Sequence, residues 1–192
     1  EVLLYMLIGA GPVLDAFVVA FRLPNMFRRF FAEGAFNAAF VPLFSKRLEA
    51  QDNPIRFASQ AMGGLAFALA LLTALALIFM PALVWLTAQG FMGDARFDMA
   101  VDYGRVMFPY IFLISLSALL SGALNAQGRF AMAAAAPVFL NIIIICALCL
   151  GWVMNHAVIY YLIWAVPIAG VVQLAALWRA AQAAGLNIRL GR

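Results

Sequence analysis

Long apolar runs separated by short polar stretches dominate this chain, and most are long enough to cross a bilayer. A helix needs ~20 mostly apolar residues to span the hydrocarbon core. The runs near residues 14–44, 57–86, 103–124, 133–153 and 157–180 meet that length, the first continuing as helix toward Phe44. Residues 2–8 form only a partial span, because seven residues reach ~10 Å at 1.5 Å each. They also lack the basic region and small-residue cleavage site of a signal peptide. The expectation is that Glu1 is not the natural start and that most of a first helix lies upstream. Residues 186–192 read as a basic cytoplasmic tail or linker outside a 1–185 transmembrane lobe. The pattern predicts an all-α polytopic membrane protein.

Composition agrees. Of 192 residues, 67% are hydrophobic and 10% charged, and mean hydropathy is +1.02, whereas soluble domains carry roughly 25% charged residues. The net charge of +4 is dispersed, with no basic run of the kind that binds nucleic acid. Cys146 and Cys149 form a C-x-x-C inside an apolar run, without a histidine or second pair to complete a metal site. They read as two small buried hydrophobes. His156, the sole histidine, falls in a short loop with no H-E-x-x-H partner. An integral membrane enzyme needs a cluster of His, Asp or Cys ligands, so that class is disfavoured.

Charge asymmetry orients the spans. Lys46, Arg47, Arg56, Arg129, Arg179, Arg189 and Arg192 fall on one side if the spans alternate. The opposite side holds Gly11-Pro12, a Gly90–Asp102 loop with Asp94, Arg96, Asp98 and Asp102, and Asn155-His156, with Arg105 at a span edge. The positive-inside rule puts the Lys46, Arg129 and Arg179 loops in the cytoplasm.

The segment from Arg22 to Pro42 departs from this apolar background. It sets Arg22, Arg28, Arg29 and Glu33 at membrane depth, where a charge costs at least ~2.5 kcal/mol on insertion scales. Two readings stand side by side: the arginines snorkel to an interface, or they face a polar cavity and meet an anion whose oxygens match the guanidinium fork. Asp15, Arg22 and Arg29 are spaced by seven and drift only ~20° per heptad, so an ideal helix sets them on one stripe. Arg29 and Glu33 make an i,i+4 pair on it, and Arg28 points ~100° away. Pro24 predicts a kink just before Asn25, with Gly34 and Pro42 as further weak points. Elsewhere, Ser115, Ser117, Ser121 and Gly122 suit close helix packing. Gly128 reads as a C-cap with Arg129 as an anchor, and Asn141 as a helix–helix hydrogen bonder.

These residues carry a family resemblance. Asp15-Ala-Phe-Val-Val-Ala-Phe-Arg22-Leu-Pro-Asn, then Phe-Arg28-Arg29-Phe-Phe-Ala-Glu33-Gly-Ala-Phe, then Ala-Phe-Val-Pro42, resembles the second helix of the MurJ/MviN lipid II flippases of the MOP exporter superfamily. Phe108-Pro109-Tyr110-Ile, Leu124-Asn125-Ala-Gln-Gly-Arg129-Phe, Ala136-Pro137 and Leu140-Asn141 resemble the fourth and fifth. The resemblance covers nearly the whole chain. It implies a six-helix N-terminal lobe, its first helix truncated, of a two-lobe transporter with fourteen helices and a cationic central cavity. The implied activity is alternating-access transfer of lipid II, the undecaprenyl-pyrophosphate-linked peptidoglycan precursor, across the bacterial inner membrane.

By the same resemblance Arg28 matches an essential arginine, Asp15 an acidic position near the periplasmic end, and Arg29 and Glu33 neighbouring motif positions. Arg22 falls where some members have lysine. The implied partners are lipid II, membrane lipids and the C-terminal half of the same protein. No cofactor is expected, and the energy source, membrane potential or a monovalent ion, is left open. Alternatives remain: a polysaccharide-lipid exporter of the superfamily, a drug exporter, which would place carboxylates at its cavity centre, or a non-transporting scaffold.

Overall fold

The computed structural model describes residues 6, 8, 9, 11–31, 35–154 and 157–188, leaving out the side chains of residues 27–31, 35–37 and 136. The described residues are helical apart from short turns. The helices are α1 (Pro12–Phe31), α2 (Ala35–Glu49), α3 (Pro54–Ile78), α4 (Met80–Thr87), α5 (Ala95–Met107), α6 (Tyr110–Ala126), α7 (Ala131–Val153) and α8 (Val158–Ala183), with a 3₁₀ turn at Gln89–Phe91. Four stretches are long and apolar enough to cross a membrane: Pro54–Ile78, Ala95–Ala126, Ala131–Val153 and Val158–Ala183. α1 is not among them, since it carries Asp15, Arg22, Arg28 and Arg29.

Two apolar cores stack along the bundle. One joins the first half of α1 to α4, α5 and the start of α8, around Phe17, Met80, Met107, Phe108 and Tyr110. The other joins α2, the start of α3 and the ends of α6 and α8, around Phe44, Met62, Leu120 and Leu177. α6 and α8 run through both, and Ser115, Ser117 and Gly122 are buried along α6. Ser117 Oγ donates to the Leu113 carbonyl at 2.8 Å, which satisfies that hydroxyl within its own helix, whereas the buried Ser115 Oγ has no hydrogen-bond partner among the described residues. Gly170 lets α8 close on α6: a Cβ at that position would lie 2.9 Å from Tyr110 Cδ2 and 3.0 Å from Leu113 Cβ. The reason is steric, since nothing larger than hydrogen fits.

Several boundaries differ from the sequence reading. The segment 90–102, read as a loop, contains most of α5, and Asp94 caps it by accepting from the Arg96 amide at 3.1 Å. α5 then meets α6 at Phe108-Pro109. The apolar run 57–86 begins earlier, at Pro54, and divides at Phe79, just before Pro81. α1 continues across Pro24, whose ring is buried; Gly34 lies outside the described residues. The sequence reading places residues 186–192 in a tail, of which residues 189–192 lie outside the described residues, but at its start Leu186 and Ile188 are 2% and 4% exposed. The cause is the end of α8, where Gly185 takes φ 79° and Leu186 N–H donates to the Ala181 carbonyl at 2.9 Å. That Schellman reversal turns the next apolar residue back onto the helix it has left.

α7 keeps most of its apolar surface outward. Cys146 and Cys149, expected to be buried, are exposed and unbonded on that face. Asn141 is also exposed rather than buried between helices.

Candidate functional site

The site begins with the two faces of α1. Leu14, Ala16, Phe17, Ala20 and Leu23 are buried, with Leu23 at 1% exposure. Asp15, Val18, Arg22 and Met26 are exposed. At ~100° per residue the exposed set falls within one narrow arc and the buried set within the opposite one. The open arc carries an acid and a base, Asp15 and Arg22, opposite an apolar buried face. Among the described residues no carboxylate lies within ion-pair distance of Arg22. Arg28 and Arg29 occupy the last turn of α1; their side chains, and Glu33 entirely, lie outside the described residues. The structure therefore places Asp15 and Arg22 on one face, about two helical turns apart.

At the other end of the arc Asp15 belongs to a polar cluster that sequence reading missed. Arg96 Nη1 stands 3.4 Å from Asp15 Oδ2. Its Nε donates to Asp94 Oδ2 at 2.6 Å, and its guanidinium carbon lies 4.6 Å from the Phe91 ring centroid. Asp94 thus caps α5 and holds Arg96 by both backbone and side chain. Those two bonds, the backbone one first, keep the Asp94 carboxyl below its ordinary pKa. A signal for this end of α5 was present: an N-cap aspartate before apolar positions at 97, 100, 101, 104 and 108.

The opposite end of the bundle gathers bases. Arg47 pairs with Asp52 at 3.1 Å and lies 4.9 Å from the Phe57 ring centroid, while Lys46, Arg56, Arg129 and Arg179 are exposed. No group of three or more His, Cys, Asp or Glu side chains suited to a metal occurs among the described residues.

Several apolar helices of spanning length, packed through two stacked cores with charge sorted to the ends, define a multi-pass α-helical membrane protein. Within that class the chain belongs to one family: the model of "Lipid II flippase MurJ" matches residues 4–191. Relatives described as "Probable lipid II flippase MurJ" from Rhizobium tropici and Rhizobium meliloti (strain 1021) are 46% and 48% identical, over 99% and 96% of this chain. A protein described as "Lipid II flippase MurJ" from Burkholderia cenocepacia is 40% identical over 90% of it. The solved structure titled "Lipid II flippase MurJ, inward closed conformation" superposes with a TM-score of 0.80 at 25% identity, over 93% of this chain and 38% of that one. The chain spans 34–37% of the length of these three relatives.

Proposed function

We propose that this chain forms the N-terminal lobe of a lipid II flippase, a transporter that moves the undecaprenyl-pyrophosphate-linked peptidoglycan precursor from the cytoplasmic to the periplasmic leaflet of the bacterial inner membrane. One observation carries the reading: the open arc of α1, with Asp15 and Arg22 exposed opposite a fully packed apolar face. A charged stripe at membrane depth needs a polar cavity beside it. The remaining part of the same protein would supply the other wall.

Arg28 is the substrate contact in this proposal, with Arg29 and Arg22 supplying positive field. A charge-assisted arginine–phosphate contact contributes roughly 1.5–3 kcal/mol, the bidentate form lying at the upper end. Asp15 acts at the periplasmic gate through Arg96, and Glu33 tempers the charge of the arginine segment. Driving force comes from the membrane potential or a monovalent ion.

The test is complementation of a flippase-depleted strain by the full-length protein, with binding of a fluorescent lipid II analogue measured in parallel. Arg28→Ala should abolish growth at normal abundance. Arg28→Lys should rescue poorly, because the ammonium keeps the charge and loses the fork. Full growth and full binding with Arg28→Ala would make Arg28 an interfacial anchor and remove the proposal's central contact.

A further inference from the structure

A second site lies at the basic end of the bundle, away from α1. A cleft of about 950 Å³ opens between the end of α6, the start of α7 and the end of α8. Leu124, Met132, Ala176 and Ala180 make its apolar walls, and Arg129 and Arg179 line it as well. Both arginines are exposed, and among the described residues neither is paired with a carboxylate. Two unneutralised guanidinium groups beside an apolar wall form an amphipathic receptor, complementary to an anion that carries hydrocarbon.

The backbone around the cleft has the same polarity. α6 ends in a Schellman motif, with Gly128 N–H donating to the Asn125 carbonyl at 2.9 Å and Arg129 N–H to the Leu124 carbonyl at 3.0 Å. α8 ends the same way, Gly185 N–H to Gln182 at 3.0 Å and Leu186 N–H to Ala181 at 2.9 Å. The carbonyls that would make these C-termini electronegative are therefore partly occupied. α7, by contrast, starts at the cleft with no side-chain cap from Phe130. Its first-turn amides add donors to the charge of the arginines.

The geometry points to this cleft as a seat for an anionic glycerophospholipid of the cytoplasmic leaflet. The phosphodiester sits between Arg129 and Arg179, and the proximal acyl chain lies along Leu124, Met132 and Ala176. Basic pockets between membrane helices on the cytoplasmic side recognise acidic head groups in this way. A neutral or zwitterionic lipid would leave both cations uncompensated. The inference does not depend on lipid II being the transported substrate, so failure of either leaves the other standing.

The test uses the full-length protein in phosphatidylcholine nanodiscs doped with phosphatidylglycerol bearing a photoreactive group near its glycerol. Cross-links should map to the first turn of α7 and the last two turns of α8, and a phosphatidylcholine probe with the same group should give far fewer. Arg129→Gln with Arg179→Gln should lower cleft labelling about tenfold or more. The double lysine variant should retain most of it, since charge is preserved. Rising salt should reduce wild-type labelling, a readout that holds even if the glutamine pair folds poorly. Equal labelling by both probes, or labelling unchanged by the glutamines and by salt, would overturn the site. So would displacement of the probe by a lipid II analogue that cross-links in its place, which would make the cleft a substrate station. Finding the cleft labelled only by another segment of the same protein would also end the proposal.

Discussion

Arg96 and Asp15 meet at 3.4 Å across 81 residues of sequence and join the first turn of α1 to the first turn of α5. Arg96 reaches that partner already held by Asp94 on its own turn, so little side-chain entropy is left to lose when Asp15 docks. The pair remains wet, with Arg96 30% and Asp15 54% exposed. A junction of that kind holds two elements in register and releases them at low cost.

Stability should therefore depend only weakly on this pair. In a double-mutant cycle of Asp15→Asn and Arg96→Gln, the coupling energy from thermal unfolding should be about 0.2–1 kcal/mol and should shrink with added salt. Transport should fall with Asp15→Ala while lipid II analogue affinity changes by less than about fivefold, the ceiling set by a coupling of at most about 1 kcal/mol. A larger affinity loss would place Asp15 in contact with substrate instead.

The α5 cap should fail only in acid. Asp94 is held below the ordinary carboxylate range, chiefly by the Arg96 amide and then by its guanidinium. A depressed folded-state pKa contributes stability that is complete above the unfolded value of ~3.9 and is lost as pH falls through the folded one. Amide exchange at the start of α5, corrected for intrinsic rates, should show constant protection from about pH 7 to pH 5 and a loss of protection below that range. Asp94→Asn should remove the acid step while keeping an acceptor for the Arg96 amide.

Two glycines should respond oppositely to alanine. Gly170→Ala drives its Cβ to 2.9 Å from the Tyr110 ring and 3.0 Å from Leu113. Overpacking of this kind costs about 1–3 kcal/mol, and thermal unfolding in detergent should report it. Gly64→Ala, in α3, meets nothing within 4 Å. It should leave stability unchanged or raise it by up to about 1 kcal/mol through helix propensity.

Opposite ends of the bundle should label from opposite sides of the membrane. With Cys146 and Cys149 replaced by alanine, Met92→Cys should react with an impermeant thiol reagent in intact cells, once the outer membrane is permeabilised. Ala50→Cys should react only after lysis. Met92 is 63% exposed and is preferable to Gly93, whose φ of 80° would strain a cysteine. The reverse pattern would invert the topology inferred from Lys46, Arg47, Arg129 and Arg179.

The all-helical membrane class, the C-terminal cap at Gly128 and the sorting of charge between ends were legible in the sequence. Each follows from local composition or from residues a few positions apart. The shared stripe of Asp15 and Arg22 was legible too, because helical periodicity alone sets their common face. The first turns of α5 escaped, since Arg96, Asp98, Asp102 and Arg105 lower the hydropathy of a segment whose other face is buried. A one-dimensional scan averages those two faces together. Only the tertiary structure decided that Arg96 meets Asp15, that Gly170 admits Tyr110, and that Leu186 and Ile188 return to the core. It also turned Cys146 and Cys149 outward: which side of an apolar helix faces its neighbours depends on how the other helices pack, and no residue type along α7 encodes that choice by itself.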